Sequence, residues 1–318
     1  QALESIETGL ESIDYLRASG DVWNLANAMG FVGQSLGFVG RYDEAAEVTE
    51  GGVDLARKLG NWVAFVYIDR ARAWRYLARA PDQKQLEADG QRDVDLGSTL
   101  GFGWMSAAGY IRMSFASFLM GDWDAAVERA EQASAREVGP LQGHFARLVL
   151  LHGYRGDRER ALAAWSQLTT PTSGEPNRTG FSSGHLAAIE GLAMLGEHEE
   201  VARLHDVTAD ICAREGRIFR SWDYRLNDTI AGISATCARR FEEAEAHLQG
   251  AIRLAEGLPY VLEQPEAYRA YARMLIARGT AGDADQANRY IAQAIDEYEH
   301  LGMPKHVELT RAMSLQSA

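Results

Sequence analysis

The chain has 318 residues, 46% of them hydrophobic and 24% charged, a composition typical of water-soluble globular proteins. Its formal net charge of −13 argues against nucleic acid or an anionic membrane as a partner, because both need clustered Lys and Arg side chains. Arg72, Arg75 and Arg79 would fall along one side of a helix, and we interpret them as a solvated helix face. The sequence contains no run of 18 uncharged apolar residues, so it predicts no membrane-spanning helix.

A short pattern recurs along the chain: a turn residue, an aromatic or polar residue, acidic residues, and then small residues at helical spacing. Its clearest copies occupy residues 40–46, 121–133 and 240–246. Weaker copies occupy residues 156–161, 196–201 and 282–287. Repetition of this kind predicts an array of stacked helical hairpins, in which each hairpin packs mainly on its neighbours.

One small or aliphatic residue of each unit, called here its anchor residue, defines the period. The seven anchor residues are Ala45, Leu86, Ala126, Ala161, Val201, Ala244 and Ala287. They lie 35 to 43 residues apart, a spacing found in helical repeat proteins. Five of them follow an aromatic residue by 20 to 24 positions, namely Trp23, Trp62, Trp104, Phe181 and Trp222. Each unit is therefore predicted to be a helix A opened by an aromatic, a turn, and a helix B carrying the anchor. We interpret the opening aromatics as core between repeats.

The predicted helices follow this repeat in chain order. Residues 2–16 resemble a helix B, and because the chain begins at Gln1 and not at methionine, we expect it to be a piece of a longer protein. Further helices are predicted over residues 22–39, 42–59 and 62–80, from Pro81, Trp104 and Pro140 onward, and over residues 290–301. All seven prolines fall between predicted helices or in their first turns, where proline is tolerated.

The sequence thus predicts an all-α protein with a single repeat domain over residues 1–318. Residues 169–180 are polar and rich in turn formers, and are long for a connection between helices. They are interpreted as an exposed insertion, with a hinge between two halves of the array as the alternative. Residues 304–316 are predicted to form a short capping helix.

The repeat resembles the tetratricopeptide repeat family at its turn. Residues 121–126, Gly-Asp-Trp-Asp-Ala-Ala, and residues 40–45, Gly-Arg-Tyr-Asp-Glu-Ala, fit that half of the family's motif well. The other half, Trp-x-x-Leu-Gly-x-x-Tyr, is poorly kept, and the closing proline is mostly replaced by Leu-Gly or Glu-Gly. The resemblance covers essentially the whole chain and implies a right-handed α-solenoid of about six or seven antiparallel helix pairs.

Long, degenerate repeats of this kind are similar to the C-terminal regions of large bacterial signalling proteins. Those proteins join a nucleotide-binding ATPase core to an adenylate-cyclase or DNA-binding output domain. The resemblance therefore implies a protein-interaction or ligand-sensing region of a larger cytoplasmic regulator, with an output domain attached upstream. The alternatives are a free-standing adaptor that joins two proteins, and a direct receptor for a short peptide or metabolite. Fold alone does not decide between these functions.

The family's register also implies which side chains face the concave groove, where a protein or peptide partner would bind. These residues are Asn27, Gln34, Arg75, Phe115, Tyr154, Glu190 and Arg269. Asn and Arg side chains there would hold a peptide backbone or carboxylate, and the two aromatic residues would anchor an apolar group. The competing interpretation is that each is an ordinary core or solvated residue.

Candidate catalytic, cofactor and metal sites are missing from the sequence, so we expect no enzyme activity and no cofactor. Residues 33–37 and 180–184 match the GxSxG nucleophile pattern, but neither would follow a strand as that chemistry requires. The sequence contains two histidine pairs, His198 with His205 and His144 with His152. Neither pair has a further metal ligand at a fixed spacing, so neither indicates a metal site. The two cysteines lie 25 residues apart and favour a reducing, cytoplasmic location.

Overall fold

The computed structural model describes residues 2–79, 82–136, 143–168, 185–215, 225–258 and 261–314. Within these ranges the chain forms 18 α-helices and no β-strand. The predicted all-α class is therefore confirmed, and consecutive helices pair as a solenoid-like array requires. The chain forms two compact units, residues 1–81 and residues 82–318.

The first unit contains five helices. They are α1 (Ala2–Ser19), α2 (Val22–Phe38), α3 (Tyr42–Val48), α4 (Gly52–Leu59) and α5 (Trp62–Arg79). Helix α2 packs against α1 on one side and α5 on the other, while α3 and α4 contact both α2 and α5. This is the arrangement expected when each hairpin stacks on the one before it.

The prediction of a single helix over residues 42–59 is wrong, because the structure divides this stretch into α3 and α4. Gly51 has a φ of +70°, a left-handed conformation that ends a helix and that glycine adopts without steric cost. Just before it, the Thr49 hydroxyl donates to the Ala45 carbonyl at 2.6 Å. The Gly51-Gly52 pair was the signal for this break.

The second unit contains the remaining helices of the described part of the chain. Its first six are α6 (Gln83–Leu100), α7 (Gly103–Met120), α8 (Trp123–Ser134), α9 (Gly143–Arg155), α10 (Arg158–Trp165) and α11 (Leu186–Met194). The others are α12 (His198–Arg203), α13 (His205–Glu215), α14 (Asn227–Cys237), α15 (Phe241–Gly257), α16 (Gln264–Arg278), α17 (Asp283–His300) and α18 (Pro304–Ser314). The A helices α9, α11, α14 and α16 contact one another in that order, so they form a continuous wall.

The anchor residues are buried as the repeat predicts. All seven lie on B helices and have no exposed surface. At the crossing of α7 and α8, the Ser114 hydroxyl donates to the Ala126 carbonyl at 2.6 Å, so the two helices approach closely where the anchor side chain is only a methyl group. At this crossing a small anchor is therefore needed, because a larger side chain would hold the two helices apart.

Two of the opening aromatics, Trp23 and Trp104, do not form the core that we predicted, whereas Trp62 is half-buried and its ring lies 5.8 Å from that of Phe65. Trp23 is 49% exposed and Trp104 is 38% exposed. Burial begins only at Leu25 in α2 and at Met105 in α7, so the first turn of these helices extends beyond the neighbours that cover the rest. Phe181 and Trp222 lie outside the described residues.

The end of the second unit contacts its beginning. Helix α18, close to the predicted capping helix 304–316, places the His306 ring 4.8 Å from the Phe118 ring and 5.9 Å from the Trp123 ring. The Gln83 amide donates to the Leu301 carbonyl at 3.1 Å. Thus α18 packs on α17 and contacts α7 and α8 through the His306 ring. The predicted insertion or hinge at 169–180 lies outside the described residues.

Replacing an anchor alanine with glutamate tests this packing. Ala126→Glu and Ala244→Glu each place a charge where no surface is exposed, so each should lower the free energy of unfolding by about 3 kcal/mol or more. Ala163→Glu on the exposed face of α10 is the control and should cost less than about 0.5 kcal/mol. Urea unfolding measures all three. Equal stability of the anchor and control variants would contradict the packing described here.

Candidate functional site

Two helices approach closely enough to bring predicted groove residues together. A Cβ atom added to Gly153 of α9 would lie 2.5 Å from the Gly191 carbonyl oxygen of α11, so the two backbones touch here. The neighbouring side chains meet as a result, and the Tyr154 hydroxyl donates to the Glu190 carboxylate. Arg269 of α16 donates to the same carboxylate at 3.2 Å. Three of the seven predicted groove residues therefore lie in direct contact.

These residues belong to a larger group of buried charges. We define the buried charge cluster as Glu190, Arg225, Glu263, Glu266 and Arg269, whose side chains are all at most 7% exposed. Arg225, two residues before α14, lies 3.0 Å from Glu190, 3.3 Å from Glu263 and 3.6 Å from Glu266. Arg269 lies 2.5 Å from Glu266. The cluster therefore links α11, α14 and α16 through ion pairs that water does not screen.

The charges within the cluster balance. Burial raises the pKa of Glu263 to about 8, so this carboxyl is protonated at neutral pH. Burial also disfavours ionisation of Glu266. The positive charges of Arg225 and Arg269 outweigh this effect of burial and lower the pKa of Glu266 to about 2. Two guanidinium groups therefore face two carboxylates, which is the arrangement that makes a buried ionic group tolerable.

Sequence reasoning identified two members of the cluster and missed the other three. Glu263, Glu266 and Arg269 stand three residues apart, so they share one helix face, and this Glu-x-x-Glu-x-x-Arg spacing was a usable signal. Arg225 precedes its helix and follows no period. Nothing in the sequence alone distinguishes it from other arginines.

A cavity of about 740 Å³ opens beside the cluster, a size typical of sites for small molecules. Its wall includes Glu190, Glu266 and Arg269 of the cluster. Most of the remaining wall is apolar, contributed by Ala193, Met194, Ala202, Ile233, Ala270, Ile276, Leu309, Ala312 and Met313. The cavity is thus bounded by α11, α12, α14, α16 and α18.

Helix α18 forms one side of the cavity and is itself held by a neutral histidine. Leu309, Ala312 and Met313 face the cavity, while His306, one turn earlier, is fully buried against aromatic rings. Burial lowers the pKa of His306 to about 3, so its ring is uncharged at neutral pH. Within the described ranges, neither ring nitrogen of His306 has a hydrogen-bond partner.

Arg273 lies at the cavity wall, one turn beyond Arg269 on α16. It donates to the Ala193 carbonyl at 3.1 Å and contacts the Met194 sulfur. Among the residues that the structure describes, no carboxylate forms an ion pair with it. Burial and the neighbouring Arg269 charge both lower the pKa of Arg273, although an arginine remains charged at neutral pH.

The other predicted groove residues do not join this site. Asn27, in the first unit, accepts a hydrogen bond from the Asn61 amide at 3.0 Å, and Gln34 is half-buried on α2. Phe115 is half-buried on α7 and does not line the cavity. Arg75 belongs to α5, but its side chain lies outside the described residues.

Neither a metal site nor a membrane-spanning helix occurs in the described ranges. No group of three or more His, Cys, Asp and Glu side chains is placed to hold a metal ion there, and none of the helices there has the length and apolarity to cross a membrane. Residues 33–37 lie within α2, whereas the second GxSxG match falls outside the described ranges. Cys212 and Cys237 are free thiols, and burial raises the pKa of Cys237 to about 11.

No protein-family model matches the chain, and no curated protein is significantly similar to it. The relationship to the tetratricopeptide repeat family therefore stays a prediction. What is established is the all-α architecture of paired helices, together with the burial of its anchor residues.

The protonation of Glu263 predicts a specific pH dependence of stability. Its pKa is about 8 in the folded protein against 4.5 for an ordinary glutamate, so the folded state holds the extra proton between these pH values. The free energy of unfolding should therefore fall as pH rises from about 4.5 to about 8. Glu263→Gln, which mimics the protonated acid, should remove this loss, on the order of 4 kcal/mol.

Urea unfolding of both proteins at pH 5 and pH 8.5 measures the difference. The gain from Glu263→Gln should be larger at pH 8.5, whereas Glu242→Gln at an exposed position on α15 should show no such change. A Glu263→Gln variant whose stability follows the parent in parallel across this pH range would contradict the assignment.

Proposed function

We propose that the chain is a non-enzymatic ligand-sensing region built from helical repeats, and that the cavity of the second unit is its binding site. One observation carries this proposal: helix α18 closes one side of a 740 Å³ cavity and also packs on α7 and α8 near the start of the unit. A molecule in the cavity would touch a helix whose position affects contacts elsewhere in the unit.

The cavity has the features of a preformed small-molecule site. Its wall is mostly apolar, with a few charged groups placed at defined positions, as is common for ligand pockets. The buried charge cluster holds α11, α14 and α16 in fixed relation, so one side of the cavity is rigid. A single helix, α18, supplies the opposite contacts, Leu309, Ala312 and Met313.

Signal transfer would proceed through α18. A ligand shifts a conformational equilibrium only if it binds one state more tightly than the other. Here the two states would differ in the position of α18, because Leu309 and Met313 line the cavity where the ligand would bind, while His306 contacts Phe118 and Trp123. In a larger cytoplasmic regulator, as the family resemblance implies, this change would bias an output domain.

An adaptor function is the second candidate, and it is favoured by a different surface. In the first unit Trp23, Phe31 and Val63 are each at least 42% exposed, and the Phe31 ring lies 4.6 Å from that of Tyr67. Exposed apolar residues of this kind are typical of protein-binding surfaces. Such an adaptor would have no need of the cavity.

Filling the cavity distinguishes these two functions. Ala202 of α12 lines the cavity and is half-buried, so Ala202→Trp would occupy part of its volume. Ala163→Trp, on an exposed face of α10, adds the same side chain outside the cavity. Thermal unfolding in the presence of a library of metabolites and short peptides should reveal a compound that raises the melting temperature of the parent.

The same compound should raise the melting temperature of the Ala163→Trp variant by a similar amount. The stabilisation that a ligand gives depends on the ratio of its concentration to its Kd. It should have little effect on Ala202→Trp. Equal shifts in both variants would place binding outside the cavity. If no compound in the library raised the melting temperature and Trp23→Ala abolished capture of a protein partner, the adaptor function would replace the proposed one.

A further inference from the structure

We propose that the ligand of the cavity is a small amphiphilic carboxylate whose anionic group binds Arg273 and whose apolar body lies against α14 and α18. This inference rests on the proposed function, because it names the ligand class of the same site. It follows from the charges around the cavity, from an unusual arginine at the cavity wall, and from the distribution of apolar side chains.

The described residues give the Arg273 guanidinium group at the cavity wall no counterion. The two arginines of the buried charge cluster are balanced by the two carboxylates closest to them. Arg273 stands one turn further along α16 and has no ion-pair partner in the described part of the chain. Of the acidic residues that line the cavity, only Glu199 lies outside the cluster, and it is exposed to water. Within the described ranges, the charge of Arg273 is therefore met by a carbonyl oxygen and a sulfur atom and not by a carboxylate.

A second arginine occupies a position where the repeat otherwise has glycine. Within the described ranges, Arg239 is the one non-glycine residue with positive φ, at +58°. The equivalent turns of other repeats contain Gly40, Gly121, Gly156 and Gly196, with φ between +73° and +84°. The left-handed conformation is unfavourable for a residue with a Cβ atom. The exposed Arg239 side chain lines the cavity and passes 5.8 Å from the Phe241 ring centre.

The apolar side chains indicate the rest of the ligand. Ile233 of α14, Ile276 of α16, and Leu309 and Met313 of α18 all line the cavity. These side chains suit a hydrocarbon or aromatic body, because burying apolar surface contributes about 25 cal/mol per Å². A cationic ligand would be repelled by Arg273. A carboxylate matches the planar fork of a single guanidinium group, which can donate two parallel hydrogen bonds to it.

Arg273 also has a possible structural role, since it donates to the Ala193 carbonyl in the last turn of α11. The two roles predict opposite results for Arg273→Met. If the arginine serves only to support α11, its loss lowers the melting temperature. If it is held for a ligand, removing an uncompensated, largely desolvated charge leaves the melting temperature unchanged or higher and weakens binding of anions.

The experiment uses the full chain and the fluorescent anion 8-anilinonaphthalene-1-sulfonate as reporter. Saturable binding to the parent protein is expected, and strong loss of binding in the Ala202→Trp variant. Decanoate should displace the reporter at a concentration at least about tenfold lower than 1-decanol does, because hydrogen bonds to charged groups contribute about 1.5–3 kcal/mol.

The variants then assign the selectivity to individual residues. Arg273→Met should weaken decanoate competition by about tenfold or more and leave 1-decanol unchanged, whereas Arg273→Lys should retain most of the preference. Arg239→Gly should weaken decanoate a few-fold, and its melting temperature should not fall, because glycine suits a positive φ. This second variant keeps the test decisive if Arg273→Met fails to fold.

Equal competition by decanoate and 1-decanol, or unchanged decanoate affinity in the Arg273→Met and Arg239→Gly variants, would overturn the carboxylate assignment and leave a cavity receptor in place. Reporter binding that is absent, or that is unaffected by Ala202→Trp, would overturn the cavity receptor itself, and the carboxylate inference with it.

Discussion

The packing of the second unit depends on the burial of five ionisable side chains. Moving such groups out of water costs several kcal/mol each, so they are tolerated only when they pair closely. Here Arg225 and Arg269 are placed between Glu190, Glu263 and Glu266 at distances of 2.5–3.6 Å. The side chains come from α11, from the segment just before α14 and from the start of α16, so any change in the stacking of these helices would break ion pairs that have no water to replace them. The cluster therefore fixes the wall of A helices and, with it, the rigid side of the cavity.

The cavity combines this rigid side with a side formed by one terminal helix. Helix α18 follows α17 and contributes only apolar groups to the cavity, so its packing there is less specific than the ion pairs opposite. An uncharged His306 at the other end of the same helix packs among aromatic rings. Under the proposed function, the charged side would stay fixed while occupancy of the cavity shifted this helix.

The sequence was most informative about contacts that repeat and least informative about those that occur once. The spacing of residues such as Ala126 and Ala244 predicted the paired helices, because each helix pair buries a small or aliphatic side chain at the same place in the repeat. The same reasoning failed for Trp23 and Trp104, which lie in first turns that no neighbour covers. Tyr154, Glu190 and Arg269 follow from register, whereas Arg225 lies outside any helix. Its position depends on the course of the chain before α14, which no local pattern encodes.

The most direct test of a carboxylate site in the second unit is a crystal structure of the chain with 10-bromodecanoate, located by the anomalous scattering of bromine. We expect a bromine peak inside the cavity near Leu309 and Met313 of α18, with the carboxylate within hydrogen-bond distance of Arg273. A bromine peak on the exposed aromatic residues of the first unit, with density for neither end of the molecule in the cavity, would contradict it.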